Sequence, residues 1–304
     1  MKGMAIHLVR PADVDDPERP SGGNVYDRRI ASGLGVVEHT TIGTVPTGAV
    51  ALVDGLCSSP ALLSESSRVR VVVLVHMPRR EWWEGPVLSA AAGVVTTSRW
   101  TRDWLLSAYG LDPARVFVAE PGVDAAPLAP GSASGAALVS VGAVTPLKGY
   151  DVLASALGML GDLAWSCRGV GSTAIEPDFA ARVSSTVQLT GPLDRAQLDA
   201  TYAEADLLVL ASRAETYGMV VTEALARGLP VVASDVGGVR EALGDGGVLV
   251  PPGDAGALAD ALREWLTSAS YRESLRSAAR ARRATLTDWD RTVSLVADAV
   301  EAVR

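Results

Sequence analysis

A chain of 304 residues that is 48% hydrophobic is long enough and apolar enough for two domains, each with its own core. Its net charge of −8 argues against nucleic acid as a partner, and its two cysteines, Cys57 and Cys167, form no disulfide framework. No histidine and cysteine cluster has metal-ligand spacing, and the apolar stretch within Met1–Arg10 is too short for a signal peptide. We therefore expect a cytoplasmic protein without a metal or a nucleic-acid partner.

The first half of the chain alternates strand-like and helical patterns, which is typical of a parallel sheet. Helices are predicted at Val25–Leu34 and Trp100–Tyr109. The predicted strands are Ala5–Val9, Val36–His39, Ala49–Val53, Val69–Val75, Gly93–Thr97 and Val116–Ala119. Only about ten residues separate the second strand from the third, fewer than a parallel crossover usually needs. The first domain is therefore compact, or segments are missing from it.

The segment Pro127–Gly135 is rich in proline, glycine, serine and alanine, and it is predicted to be a linker. The alternation then restarts, with strands at Ala137–Val141, Ala164–Gly169, Val187–Leu189, Leu207–Leu210, Pro230–Ala233 and Gly247–Val250. The predicted helices are Asp151–Leu160, Arg195–Glu204, Met219–Arg227, Ala255–Thr267, Tyr271–Thr285 and Trp289–Val303. We expect α/β domains at residues 1–127 and 136–286, followed by a C-terminal helix within 287–304.

Two glutamates with seven residues between them, Glu215 and Glu223, carry the strongest functional signal. The first follows a buried-looking strand and the second lies inside the next helix. Open α/β sheets bind ligands at the carboxyl ends of their strands. The helix opens near Gly218, so its unpaired N–H groups and positive dipole end suit a phosphate.

Other loops of the second half follow strand ends and so belong to the same sheet edge. Gly142 lets the backbone approach a ligand, and Lys148 can reach a diphosphate as a point charge. The backbone groups of Gly191, Pro192 and Leu193, after another strand, can hold a base. The run Asp235–Glu241 turns tightly into a further helix.

With these motifs, the chain resembles the retaining nucleotide-sugar glycosyltransferases of family 4, strongly over residues 136–260 and more loosely over residues 1–125. The resemblance implies the GT-B fold, in which two Rossmann-like α/β domains have parallel sheets facing a central cleft. It implies that the first domain takes the acceptor and the second takes the donor. The terminal helix would cross back to the N-terminal domain.

The resemblance also implies roles for the second-half residues. Glu223 would hydrogen-bond the donor ribose, and Lys148 would bind the diphosphate. Glu215 would hold hydroxyls of the donor sugar and count among the catalytic residues. Backbone N–H groups would hold the sugar and phosphate around Tyr217, Gly218 and Met219.

In the first half, the resemblance implies that Gly22 and Gly23 form a glycine loop that closes over the diphosphate. His76 would lie beside the donor sugar and the acceptor as a second catalytic residue. Asn24, Trp82 and Trp83 are candidate acceptor contacts. The tryptophans stand beside two arginines, and three interpretations stay open: an acceptor lid, a peripheral membrane contact, or a surface loop with no such role.

Two features depart from the family pattern. The family has an arginine at or next to Ala143, paired with the lysine, so one diphosphate ligand is missing here or comes from Arg168 or Arg99. The first domain is also shorter than is typical. Both features bear on how much activity the chain has.

The predicted function is transfer of a sugar, with retention, from a UDP- or GDP-type nucleotide sugar to a small-molecule, glycan or lipid-linked acceptor. No metal cofactor is expected, because Lys148 and a helix N-terminus can carry the leaving-group charge. The alternative is a nucleotide-sugar-binding protein with little or no transferase activity. A Rossmann dehydrogenase fits less well, since the segment Arg10–Pro20 after the first strand is not G-x-G-x-x-G.

Overall fold

The structure is a computed structural model that describes residues 5–12, 16 and 21–304. It consists of two compact units: residues 123–286 form one, and residues 21–122 and 287–304 form the other together with the first strand. Most of the segment Arg10–Pro20 and the start of Met1–Arg10 lie outside the described residues. Each unit is built on a six-stranded sheet in which every strand pair is parallel.

The first unit has strand order β2-β1-β3-β4-β5-β6. Its strands are β1 Ile6–Val9, β2 Val37–His39, β3 Val50–Asp54, β4 Arg70–Val75, β5 Gly93–Thr96 and β6 Val116–Val118. Its first helices are α1 Gly22–Leu34, α2 Leu62–Glu65, α3 Glu84–Ala90 and α4 Arg99–Tyr109. The link from β2 to β3 contains no α-helix, and it passes β1, which lies between the two strands. The whole of β3 is buried, as in a sheet covered on both faces.

The second unit has strand order β12-β11-β10-β7-β8-β9. Its strands are β7 Ala137–Val141, β8 Ser166–Val170, β9 Gln188–Gly191, β10 Leu207–Leu210, β11 Val231–Ser234 and β12 Gly247–Val250. Its helices are α5 Tyr150–Gly158, α6 Pro177–Val183, α7 Arg195–Glu204, α8 Met219–Ala226, α9 Val239–Leu243, α10 Ala255–Thr267 and α11 Ala269–Arg283. The order reverses between β7 and β10, which is the switch point where doubly wound sheets bind ligands.

The last helix, α12 Trp289–Ala302, belongs to the first unit. Thr292 Oγ1 donates to the carbonyl of Glu120 at 2.8 Å. Val293 fills the space where a side chain at Gly33 of α1 would stand. A Cβ at Gly122 would overlap the backbone of Asp288 and Trp289, so this approach requires glycine.

The α/β class with parallel sheets is confirmed, but several local predictions differ from the structure. Gly22 and Gly23 were predicted in a loop, whereas they form the first turn of α1, which Ser21 caps through the N–H of Asn24. The short helices α2, α3 and α6 were not predicted. The boundaries of most strands differ from the prediction by one or two residues, as expected for element ends.

Candidate functional site

The second unit brings two predicted residues into contact at its switch point. Lys148 lies in the turn after β7, and Glu215 follows β10. The Nζ atom of Lys148 lies 2.6 Å from Oε1 of Glu215, which also accepts a hydrogen bond from Ser212 Oγ at 2.8 Å. The Lys148 side chain is 26% exposed and the Glu215 side chain only 10%. Without a ligand, the lysine charge is therefore already paired.

Close backbone approaches fix the positions of these two residues. A Cβ at Gly149, which has φ of 68°, would overlap the carbonyl of Ala211 at the end of β10. A Cβ at Gly237, which has φ of 54°, would overlap the carbonyl of Glu215. Three segments distant in sequence are thus held together by glycines that no larger residue could replace without strain.

The helix after Glu215 begins without a side-chain cap. Gly218 occupies the N-cap position of α8 with φ of 92°, and Tyr217 before it is buried. Gly149 likewise begins α5 without a side-chain cap, whereas Asp194 caps α7 with a full capping box. Uncapped helix starts leave N–H groups for a ligand. The predicted backbone donors around Gly218 and Met219 are therefore at the sheet edge that carries Lys148.

Glu223 lies one turn into α8 and is held by Tyr202 of α7. The tyrosine hydroxyl donates to Oε2 at 3.0 Å, and the carbonyl of Glu223 accepts from Arg227 Nη1 at 2.7 Å. Burial raises the pKa of the Glu223 carboxyl above its ordinary value, although Tyr202, Arg195 and Arg227 oppose this. A ligand hydroxyl that bonds this carboxylate would offset part of the burial penalty.

The remaining predicted donor residues lie at the ends of β7 and β9. Gly142, with φ of 149°, lies beneath the side chain of Lys148, since a Cβ there would stand 3.6 Å from Lys148 Cγ and Cδ. Gly191 has φ of 77° and accepts a hydrogen bond from the N–H of Gly171 at 3.0 Å. Pro192 and Leu193, which follow it, are half-buried.

The one sequence candidate in this unit, Arg168, does not replace the arginine missing at Ala143, and the other candidate, Arg99, begins α4 of the first unit. Arg168 Nη1 pairs at 2.5 Å with Glu204, the last residue of α7, which is at the other edge of the sheet. Arg213, which sequence reasoning missed, lies between Ser212 and Glu215 but makes two 2.7 Å bonds to Asp151. Tyr202 and Ser212 were missed as well, because a hydroxyl that supports a glutamate has no spacing signal.

In the first unit, His76 follows β4 and lies against Gly23 and Asp27 of α1. Its Nε2 atom lies 2.8 Å from Asp27 Oδ1, and a Cβ at Gly23 would come within 3.2 Å of its Cδ2 atom. Asp54, the last residue of β3, completes a group whose ligand-type atoms lie within 4.8 Å of one another. The residues come from three separate elements, so their spacing in sequence gave no sign of this group.

The predicted acceptor residues of the first unit differ in exposure, since Asn24 and Trp83 are half-buried and Trp82 is exposed. Trp82 is 83% exposed, and Asn24 is in the first turn of α1. Trp83 precedes α3 and stacks with the guanidinium of Arg79, 5.4 Å from the ring centroid. The buried carboxylate of Glu84 accepts the N–H groups of Arg79 and Arg80 at 2.9 and 2.8 Å, so this loop has a fixed conformation. The acceptor role of these residues stays a prediction.

Comparisons with known proteins agree with this architecture. Residues 133–282 match the family described as glycosyl transferases group 1, and residues 52–126 match glycosyltransferase family 4. A D-inositol 3-phosphate glycosyltransferase from Mycolicibacterium vanbaalenii is 37% identical over 220 residues, which cover 61% of this chain and 49% of the relative. The chain spans about half the length of the curated relatives it matches.

Solved structures with low sequence identity share the fold. A glycosyltransferase from Rickettsia africae aligns with a TM-score of 0.75 at 18% identity, over 100% of this chain and 99% of that one. Anabaena HepE, in complex with UDP and glucose, aligns with a TM-score of 0.77 at 17% identity, over 98% of this chain and 99% of HepE. Within the described residues, every helix is too short or too polar to cross a membrane.

Proposed function

Because the chain belongs to the family 4 glycosyltransferases and has the GT-B fold, we propose that it transfers a sugar from a nucleoside-diphosphate sugar to an acceptor nucleophile. We propose further that it retains the configuration of the anomeric carbon and uses no metal ion. The observation that carries the proposal is the contact between Lys148 and Glu215 at the switch point of the second sheet. This contact brings together a lysine that can bind a phosphate and a carboxylate that can accept hydrogen bonds from sugar hydroxyls.

The donor would replace the internal ion pair with two separate sets of contacts. Its diphosphate would bind Lys148 and the open N–H groups at the start of α8, while sugar hydroxyls would bind Glu215. As the bond to the diphosphate breaks, negative charge grows on the departing phosphate, and these fixed donors stabilise it. A front-face route, in which the departing phosphate accepts the acceptor's proton, needs no protein nucleophile.

The choice of donor and acceptor follows from the similar proteins only as a proposal. HepE was solved with UDP and glucose, which favours a UDP-sugar as the first donor to test. The curated relatives are named for D-inositol 3-phosphate, which favours a polyol phosphate as the first acceptor class. Product formation should be followed by mass spectrometry with UDP- and GDP-sugars, and the anomeric configuration by NMR.

The role of Lys148 can be separated from its charge. It is one of only two lysines in a chain with 27 lysines and arginines together. A guanidinium is wider than an ammonium and prefers planar, bidentate partners. Lys148→Arg should therefore reduce turnover almost as much as Lys148→Ala, with Arg168→Ala as a control outside the site. Full activity of Lys148→Ala would refute the proposed leaving-group role.

Metal independence has its own test. The transfer should persist in excess EDTA, because Lys148 and the start of α8 carry the leaving-group charge. An EDTA-inhibited reaction that Mg²⁺ or Mn²⁺ restores would contradict this part of the proposal and leave the transfer itself intact.

A second candidate is a nucleotide-sugar-binding protein with little turnover. The alanine at position 143 favours it, since Arg213 nearby is occupied by Asp151. Donor binding measured by calorimetry, with neither transfer nor donor hydrolysis over a broad acceptor panel, would support the binding protein and exclude the transferase.

A further inference from the structure

A buried charged group lies in the first unit, at the switch point between β1 and β3. Asp27 and Asp54 are 1% and 2% exposed, and the side chain of His76 is 15% exposed. The hydrogen bond between His76 Nε2 and Asp27 Oδ1, at 2.8 Å, joins the ring to one carboxylate. The second carboxylate, Asp54, accepts the N–H of Leu56 at 2.8 Å through Oδ1.

The charges in this group do not balance if both carboxylates are ionised. One imidazolium can neutralise only one of them, and an unbalanced buried charge is costly. Within the described residues, Oδ2 of Asp27 is buried and has no hydrogen-bond donor. Burial, and then the charge of Asp27, raise the pKa of Asp54 to about 6. Below that pH, a proton on Asp54 therefore balances the charge of the group.

The same electrostatics act on the imidazole. Burial lowers the pKa of His76, but the charge and hydrogen bond of Asp27, with the charge of Asp54, outweigh burial and raise it above its ordinary value. Tyr26 is a further titratable group against the ring, edge-on at a centroid distance of 5.2 Å. Its hydroxyl donates to the carbonyl of Ala119 at 3.1 Å, and burial raises its pKa, so it stays neutral.

We propose that Asp27 and Asp54 share one proton and together hold His76 as a fixed imidazolium beside Gly23, so that both aspartates are positioning residues for the transfer reaction. Below a pH of about 6 the charge count is then zero: one imidazolium, one carboxylate and one carboxylic acid. This assignment rests on the proposed function and on the family resemblance, which implies that His76 lies beside the donor sugar. A metal ion bound by the three residues fits less well, since the ring proton that bonds Asp27 would stand where the metal should be.

The test combines imidazole NMR with the pH dependence of activity in the full-length chain. In protein with isotope-labelled histidine, His7, His39 and His76 should give separate imidazole signals. The signal that disappears in His76→Gln belongs to His76. The imidazolium of His76 should persist at pH 7. Asp27→Asn should move its titration, and the alkaline limb of kcat/KM, at least about one pH unit lower. Asp103→Asn, at an exposed site of α4, is the control and should move neither.

Asp54 provides the sharper discrimination. Below a pH of about 6, where the carboxyl of Asp54 is protonated, Asp54→Asn keeps an N–H donor towards Asp27 and should retain the His76 titration and most of the activity, whereas Asp54→Leu should lose both. An equal loss in both variants, or one bound metal per chain whose removal by EDTA stops the reaction, would overturn the proposal. So would a neutral His76 at pH 7 in the wild type, which needs no variant to fold.

Failure of the inference and failure of the proposed function give different results. If NMR shows the imidazolium and its dependence on Asp27, but no donor is turned over, the shared proton stands and the assigned reaction falls. If transfer occurs while His76 is neutral or insensitive to Asp27→Asn, the reaction stands and the inference is wrong.

Discussion

At the residue scale, the pairing of Lys148 with Glu215 makes their roles separable. Glu215→Gln removes a charged acceptor for a sugar hydroxyl, worth roughly 1.5–3 kcal/mol, so kcat should fall at least about tenfold. The affinity for UDP, which lacks the sugar, should hold or increase, because Lys148 loses its internal partner. Steady-state kinetics with calorimetry measure the two effects. Glu204→Gln, at the opposite sheet edge, is the control, and an unchanged kcat with weaker UDP binding would refute the assignment.

The buried carboxylate of Glu223 should lower the stability of the unliganded chain and support nucleotide binding. Burial raises the pKa of Glu223 in the folded chain above the ordinary value of 4.5. Between the ordinary pKa and the raised pKa, the folded chain therefore binds more protons than the unfolded chain. The free energy of unfolding must therefore fall as pH rises through that window. Glu223→Gln should remove this fall and leave the unliganded chain at least as stable above it. Urea unfolding at several pH values, with Glu241→Gln as a control, measures the change.

The same substitution should weaken nucleotide binding, because the ribose loses a charged acceptor. A loss of roughly 1.5–3 kcal/mol corresponds to about 10- to 100-fold in Kd for UDP. Unchanged UDP affinity by calorimetry would mean that Glu223 does not contact the ribose.

Gly23 shows how a residue can be predicted for one reason and be required for another. The family resemblance implied a glycine loop that closes over the diphosphate, but neither Gly22 nor Gly23 has positive φ, and both lie in α1. The space beside Gly23 belongs to the ring of His76, which is 53 positions away in sequence. A local pattern cannot reveal such a neighbour, because only the fold brings it there.

At the element scale, strands were predictable because buried parallel strands are continuous apolar runs. The order of the strands was not, since it depends on which crossovers pass over which face. The helix α3 was missed for a local reason: it begins Glu84-Gly85-Pro86, and glycine and proline are poor helix signals. Its stability comes from tertiary contacts such as the bond from Tyr109 to Glu84 at 2.7 Å.

The turn between β7 and α5 should tolerate no side chain. Gly149→Ala would place a methyl group on the carbonyl of Ala211 and force a left-handed residue, at a cost of at least about 1–2 kcal/mol. It should lower the melting temperature and weaken UDP binding, because Lys148 is the preceding residue. Gly158→Ala, in open space at the end of α5, is the matched control and should be close to neutral. Equal melting temperatures for the two variants would mean that the turn has room for a side chain after all.

At the scale of the whole molecule, two units with separate cores allow two thermal transitions. UDP at one hundred times its Kd should stabilise the unit that binds it by about 2.7 kcal/mol. We expect the transition of residues 123–286 to move and the other to stay, and differential scanning calorimetry can follow both. The shift should vanish in Lys148→Ala. A shift confined to the other transition would place nucleotide binding in the first unit and refute the donor site proposed for the second.

The ion pairs at the donor edge have a kinetic consequence. Lys148 is neutralised by Glu215, and Arg213, Arg195 and Arg240 each pair with an aspartate, while the chain as a whole carries −8. An anionic donor is therefore not steered towards this edge from a distance, and the long-range field opposes its approach. Its association rate constant should stay level or rise as ionic strength increases, since salt screens repulsion between like charges. Binding of the donor would thus depend on short-range contacts, in which its diphosphate replaces Glu215 as the partner of Lys148.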